Sequence, residues 1–178
     1  MKFQPICILL AAIVLMSSCV QNKTDNAVST SSKVKVVPIS TCYMAIDGRD
    51  TAMLNLKTAG MKVSGILFFN YYKKNKTLGS IKGSFVRDTL LADYLLTVDH
   101  TKTIYRNPLA FLKKDGKLIM GVGTIETAWG RNYFSKNVPI DYKKGRFVFK
   151  KVDCKSLKDL QSMQIALEKS GSVFSPQD

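Results

Sequence analysis

The chain has 178 residues and carries 27 Lys and Arg against 13 Asp and Glu, a formal charge of +14. Hydrophobic residues make up 46% and charged residues 22%, which excludes wholesale disorder, and the length suits one domain with a sizeable core. So basic a chain either attracts polyanions or keeps its strand edges apart with solvated lysines, and charge alone leaves both readings open.

Residues 1–18 (MKFQPICILLAAIVLMSS) read as an export signal. Lys2 supplies the positive start, Ile6 to Met16 is an apolar core too short to span a bilayer comfortably, and Ser17-Ser18 are the small residues a peptidase needs. The segment resembles the lipobox of bacterial lipoproteins, with Met16 where Leu is usual and Ser18 where Gly or Ala is usual. The resemblance implies that Cys19 becomes the lipidated mature N-terminus; an ordinary cleaved signal and an uncleaved anchor are the alternatives. Export puts nucleic acid out of reach, so a basic surface is left with lipid headgroups, anionic glycans and envelope proteins as partners.

The leader also sorts the cysteines. Cys7 leaves with the signal and Cys19 takes the lipid, so Cys42 and Cys154 remain in the folded part, either as a disulfide or as two buried thiols. No C-x-x-C occurs, which argues against thioredoxin-like redox work and a structural zinc site. The stretch from Val20 to about Lys35 is rich in Ser, Thr and Asn without apolar period. Residues 19–38 therefore read as a flexible tether with an r.m.s. reach of about 25 Å.

From Cys42 the apolar period becomes two. Leu90, Ala92, Tyr94, Leu96 and Val98 alternate with Thr89, Asp93 and Thr97, and the same pattern predicts eight strands: 41–47, 51–58, 62–72, 78–86, 89–98, 103–113, 117–126 and 146–153. Asp47-Gly48-Arg49-Asp50, Ala59-Gly60, Arg87-Asp88 and Asp115-Gly116 are hairpin turns, so sequence neighbours should be spatial neighbours. The fold class expected is all-β, an eight-stranded antiparallel up-and-down meander barrel, since a meander buries its edges only by closing. Gly65, Gly79, Gly83, Gly121 and Gly123 fit bends or bulges within strands. After Cys154, Ser156 is the expected N-cap of a C-terminal α-helix of about twelve residues, with Met163 and Leu167 facing the barrel. The domain thus spans 39–169, and 170–178 is expected to be a disordered tail.

Strand parity adds a prediction. Alternate turns share one end of a meander, so the longer connections 47–50, 73–77, 99–102 and 127–145 form one rim and the tight turns form the other. Strands one and eight then begin and end at the tight rim, which brings Cys42 and Cys154 together if the barrel closes, and the tether leaves from that end. The long-loop rim gathers Arg49, Lys73, Lys74, Lys76, His100, Trp129, Arg131 and Tyr133, with Lys102, Lys136, Lys143 and Lys144. Cations beside aromatics suit anionic sugars or headgroups, although lysine is common in solvated turns. Trp129 alone reads more readily as a plug or hinge of its loop than as a ligand platform.

Catalysis finds no pattern. His100 sits in a predicted turn beside Asp99, no G-x-S-x-G elbow occurs, and no His, Cys or Asp spacing matches a metal site. Gly121-Val122-Gly123 has no following helix to cradle a phosphate. No catalytic residue, metal or cofactor is expected, and the chain is not expected to be an enzyme. Asp50-Thr51-Ala52 and Asp88-Thr89-Leu90 resemble the acceptor motif of general O-glycosylation in Bacteroidota, and Asn75-Lys76-Thr77 fits an N-glycosylation sequon.

The Cys19 lipobox, the CYMAIDGRDTAMLNL opening and the VSGILFFNYY and GSIKGSFVRDTLLADY hairpins together resemble a lipocalin-like lipoprotein of the Bacteroidota kind. That resemblance implies lipid anchorage in the outer membrane, and the lack of an acidic cluster after Cys19 favours the periplasmic face. No motif in it specifies a ligand, and the first reading is a non-enzymatic binding or envelope-maintenance protein that engages an anionic glycan, lipid or envelope protein through the barrel mouth or long-loop rim. The alternative is an interaction or stress-sensing lipoprotein whose barrel is solid. A central cavity would favour the first; a core filled by Phe69, Phe85, Tyr94 and Phe111 would favour the second.

Overall fold

The structure, a computed structural model, describes residues 37–99 and 101–169. The leader 1–18, Cys19, the tether to residue 36, His100 and the tail 170–178 lie outside the described residues.

The period-two segments form strands at the expected places: β1 (Ile39–Asp47), β2 (Asp50–Ala59), β3 (Lys62–Asn70), β4 (Lys76–Val86), β5 (Thr89–Val98), β6 (Tyr105–Lys114) and β7 (Lys117–Met120). A short hairpin of β8 (Ile125–Ala128) and β9 (Arg131–Phe134) follows, then β10 (Val148–Val152). Strands β1 to β7 and β10 close an eight-stranded antiparallel barrel in which β10 pairs with both β1 and β7.

An eight-stranded barrel has an interior just wide enough for side chains, and here they fill it. Leu54, Leu67, Ile81, Leu90, Phe111, Leu118 and Phe149 are completely buried within it. Phe69 packs 5.1 Å from Phe147 and 6.1 Å from Tyr94, while Phe111 meets Phe149 edge-on at 5.6 Å. The buried Tyr94 hydroxyl donates to the Leu67 carbonyl at 3.0 Å and lies 3.2 Å from Thr77 Oγ1. Desolvation pushes its pKa up, so it remains a neutral donor. Phe85 is half-buried against this cluster. Closure also needs close strand approach: a Cβ on Gly79 would sit 1.9 Å from the Leu95 carbonyl oxygen, and one on Gly65 2.0 Å from that of Asn55.

A second apolar cluster lies on the outer face. Cys42, Ile66, Phe68 and Leu78 point outward and are covered by Leu157 and Leu160, with Met163 packed alongside. This explains why β3 reads ILFF without alternation: both of its faces are buried. Asp153, not Ser156, caps the C-terminal segment, its carboxylate accepting from the Lys155 N–H at 3.0 Å. A 3-10 turn (Cys154–Leu157) leads from there into α1 (Lys158–Lys169), and Ser156 instead donates back to the Asp153 carbonyl. The side chain of Leu167 lies outside the described residues. Cys42 and Cys154 form the disulfide, with Cα atoms 5.1 Å apart, beside the Cys42–Val152 register pair that closes the barrel.

The seventh strand is shorter than the expected 117–126. Gly121 N–H still donates to the Ala110 carbonyl at 2.8 Å, and then the chain leaves β6. The next position of β6 facing that way is Pro108, which has no N–H to offer a ladder. Gly121 and Gly123 are therefore not strand bends. They admit the folded-back connection, since Cβ atoms there would strike Ile140 at 2.4 Å and Phe134 at 2.6 Å.

Candidate functional site

The β1–β2, β3–β4, β5–β6 and β7–β10 connections share one rim, while the other carries the two-residue turns at 60–61, 87–88 and 115–116. The rim is ordered by acids. Arg146, just before β10, donates from Nε to Asp47 at 2.5 Å and from Nη2 to Asp50 at 2.7 Å. Asp50 also accepts from the Tyr72 N–H at 2.7 Å. That backbone donor and the Arg146 guanidinium hold the Asp50 carboxyl below its ordinary pKa, and the Asp50 and Asp47 carboxylates in turn raise that of Arg146. Asp99 accepts from the Lys76 N–H, and Asp141 from those of Lys143 and Lys144, which lowers the Asp141 pKa.

The predicted site residues fall into separate groups. Arg49 stacks on the Tyr72 ring at 4.1 Å, and the Lys73 ammonium approaches the same ring at 5.6 Å. Lys74 donates its backbone N–H to Tyr71, closing the β3–β4 turn. Lys76 begins β4; His100 lies outside the described residues. Trp129, Arg131 and Tyr133 ride on the β8–β9 hairpin. Among the described residues no hydrogen bond, ion pair or ring contact links this hairpin group to the Arg49–Tyr72–Lys73 group. Nor are exposed cations confined to this rim, because Lys62, Arg87, Lys113, Lys114 and Lys117 surround the tight turns.

Trp129 departs from the plug or hinge expectation: it is 100% exposed. It occupies, with Gly130, the two-residue turn between β8 and β9, and both have positive φ (53° and 70°), as a type I′ hairpin turn requires. A large side chain in the left-handed region is uncommon and unfavourable. The hairpin is anchored at its base. Thr127 donates to Asn132 Oδ1 at 2.7 Å, and Asn132 Nδ2 donates to the Arg106 carbonyl at 3.3 Å. Arg106 lies on the β6 edge vacated by β7, so the Asn132 side chain meets a backbone carbonyl there while the hairpin remains a separate two-stranded sheet.

The hairpin overhangs the outer face of β4–β6, leaving a cleft of about 370 Å³ lined by Leu91, Pro108, Tyr133, Phe134 and Ile140. Tyr133 belongs to this cleft rather than to a barrel mouth. Lys82 stands at the cleft's edge and also lines a second hollow of about 230 Å³ with Lys57, Lys62 and Ser64. Neither the hairpin nor the cleft is foreseen by the eight-strand reading; the one signal available for them is Pro108 inside a strand pattern.

Among the described residues no group of three or more His, Cys, Asp or Glu could hold a metal ion, and no helix is long and apolar enough to cross a membrane. The closed eight-stranded antiparallel barrel with a C-terminal helix is consistent with a lipocalin-like fold. Compared with family models, curated proteins and solved structures, the chain has no significant match.

Proposed function

We propose that the chain is a non-enzymatic interaction protein of the cell envelope, anchored through a lipid on Cys19 and working through its long-loop rim rather than through a barrel cavity. The partner class in this reading is an anionic envelope surface, a glycan, lipid headgroup or acidic protein, met by Trp129 with Arg131 and the neighbouring rim cations. The observation that carries the reading is the complete exposure of Trp129 on an anchored hairpin. An indole contributes about 1.5–3 kcal/mol or more when buried, and Trp and Arg dominate binding hot spots. The packed interior supports the solid-core alternative over a ligand carrier, since Phe69, Tyr94, Phe111, Phe147 and Phe149 occupy the space a ligand would need. Outer-membrane location facing the periplasm follows from the lipobox resemblance and belongs to the same proposal.

A photo-crosslinking residue at position 129, used in intact envelopes, tests it. The reading expects one dominant adduct at 129 and none from the same probe at Lys117 in the tight turns. Equal labelling from both positions would remove the rim from consideration.

A further inference from the structure

We propose that the outer face of β2–β6 carries a binding site for a single-chain anionic amphiphile, with a phosphate or carboxylate head on Lys57, Lys62 and Lys82 and its alkyl chain beneath the β8–β9 hairpin. This site lies on the barrel wall beneath the hairpin whose turn carries Trp129, and outside the packed barrel interior.

The register builds it. Lys57 pairs with Ser64, Ser64 with Lys82, Lys82 with Asp93, and Asp93 with Pro108. Directly opposed side chains on one face of a sheet are near neighbours, about 4.5–5.5 Å apart at Cβ. One line across the barrel wall therefore runs from two lysines flanking a hydroxyl to an apolar floor. At the basic end, Lys57, Lys62 and Lys82 surround the hollow of about 230 Å³, and the Ser64 hydroxyl stands between them. Among the described residues none of the three lysines has an ion-pair partner. The one acid on the line, Asp93, is paired with Arg106 and so presents little net charge to an anion at Lys82. The hollow's floor is mainly apolar, with Pro38, Ala59 and Val63, so the three cations ring it from its margin and repel one another until an anion sits among them.

At the apolar end the cleft of about 370 Å³ falls in the size range of small-molecule sites, roughly 300–1,000 Å³. Leu91 and Pro108 form its floor, and Phe134 and Ile140 overhang it from the connection that Pro108 forces away from β6. Lys82 borders both spaces, so the head and tail subsites adjoin at this one side chain. Leu91 is 41% exposed, an apolar side chain on the outer wall that the overhanging hairpin leaves accessible.

The test is titration of the full chain with dodecyl, decyl and octyl phosphate below their micelle concentrations, followed by calorimetry and amide NMR. Decyl carboxylate, inorganic phosphate and decyl glucoside serve as separate arms. The proposal expects one-to-one binding that weakens by roughly two- to fourfold for each CH2 removed. Inorganic phosphate and decyl glucoside should each bind at least tenfold more weakly than decyl phosphate. Decyl carboxylate binding as well as decyl phosphate assigns the head subsite to simple anions; a preference for phosphate assigns it to phosphorylated amphiphiles. Lys82→Glu should weaken decyl phosphate at least fivefold, and Leu91→Gln, at an exposed position that leaves folding intact, should flatten the chain-length series. Affinity independent of chain length, unaffected by Lys82→Glu, or equal for the glucoside would overturn the proposal, as would no binding of dodecyl phosphate.

Discussion

The side-chain amide of Asn132 donates to the backbone carbonyl of Arg106 at 3.3 Å, at the edge of β6 that β7 leaves unpaired. That contact joins the hairpin carrying Trp129 to the barrel wall. Thr127 holds the amide in the orientation that makes it a donor, by giving its own proton to Oδ1. Asn132→Ala is expected to cost about 1–2 kcal/mol, the usual result of removing one partner of a half-buried polar pair. Fluorescence anisotropy of Trp129 should fall with it. Unchanged anisotropy would mean that the hairpin is held by other contacts.

The Cys42–Cys154 bridge closes a loop with a sequence separation of 112 next to the β1–β10 seam. On the chain-entropy account a loop of this length contributes about 4–5 kcal/mol. Denaturant midpoints with and without reductant should differ accordingly, and the paired Cys42→Ala and Cys154→Ala variant should match the reduced protein. A midpoint insensitive to reductant would show that the seam is held without the bridge.

Acid should loosen the rim first. The folded-state pKa of Asp50 is depressed by the Tyr72 N–H and Arg146, so its contribution is present above the unfolded carboxyl value of about 3.9 and is lost as pH falls through the lower folded value. Asp50→Asn should lower stability at neutral pH while removing that part of the acid-dependent loss. Urea midpoints from pH 6 to pH 2 check this, with parallel profiles for the parent and the variant as the contrary result.

Strand closeness predicts a large penalty at Gly79. A methyl group there meets the Leu95 carbonyl oxygen at 1.9 Å, which backbone shift alone can relieve, so Gly79→Ala should cost about 3 kcal/mol. Gly116→Ala meets no neighbouring atom but sits at φ 73°, and should cost about 1 kcal/mol. Equal midpoints for the two variants would refute the close-packing account.

The barrel was legible because its interior imposes strict alternation, as in Leu90 to Val98, and because Asp-Gly and Ala-Gly turns announce tight hairpins. Strand parity then located the disulfide and sorted the loops into two rims. The working surfaces were less legible. IETAWGRNYF has no period of two, since both hairpin faces are partly exposed, and Trp is not a residue from which a type I′ turn is read. Arg146 lies beside a strand start, so nothing local marks it as the clamp on Asp47 and Asp50. Lys82 and Leu91 read as ordinary outward residues until the hairpin's position is known, and only Pro108, interrupting the β6 ladder, hinted that something other than β7 must cover that edge.

Trp129 is the chain's single tryptophan, so its emission reports the rim without labelling. Titration of the full chain with an anionic polysaccharide and with anionic lipid vesicles, at low and high salt, is the most direct measurement of the rim's role. The account predicts a blue-shifted emission with at least one of them, weakened by added salt and by Arg131→Glu, and unchanged by Lys117→Glu. Emission that stays at its solvent-exposed position throughout both titrations would contradict it.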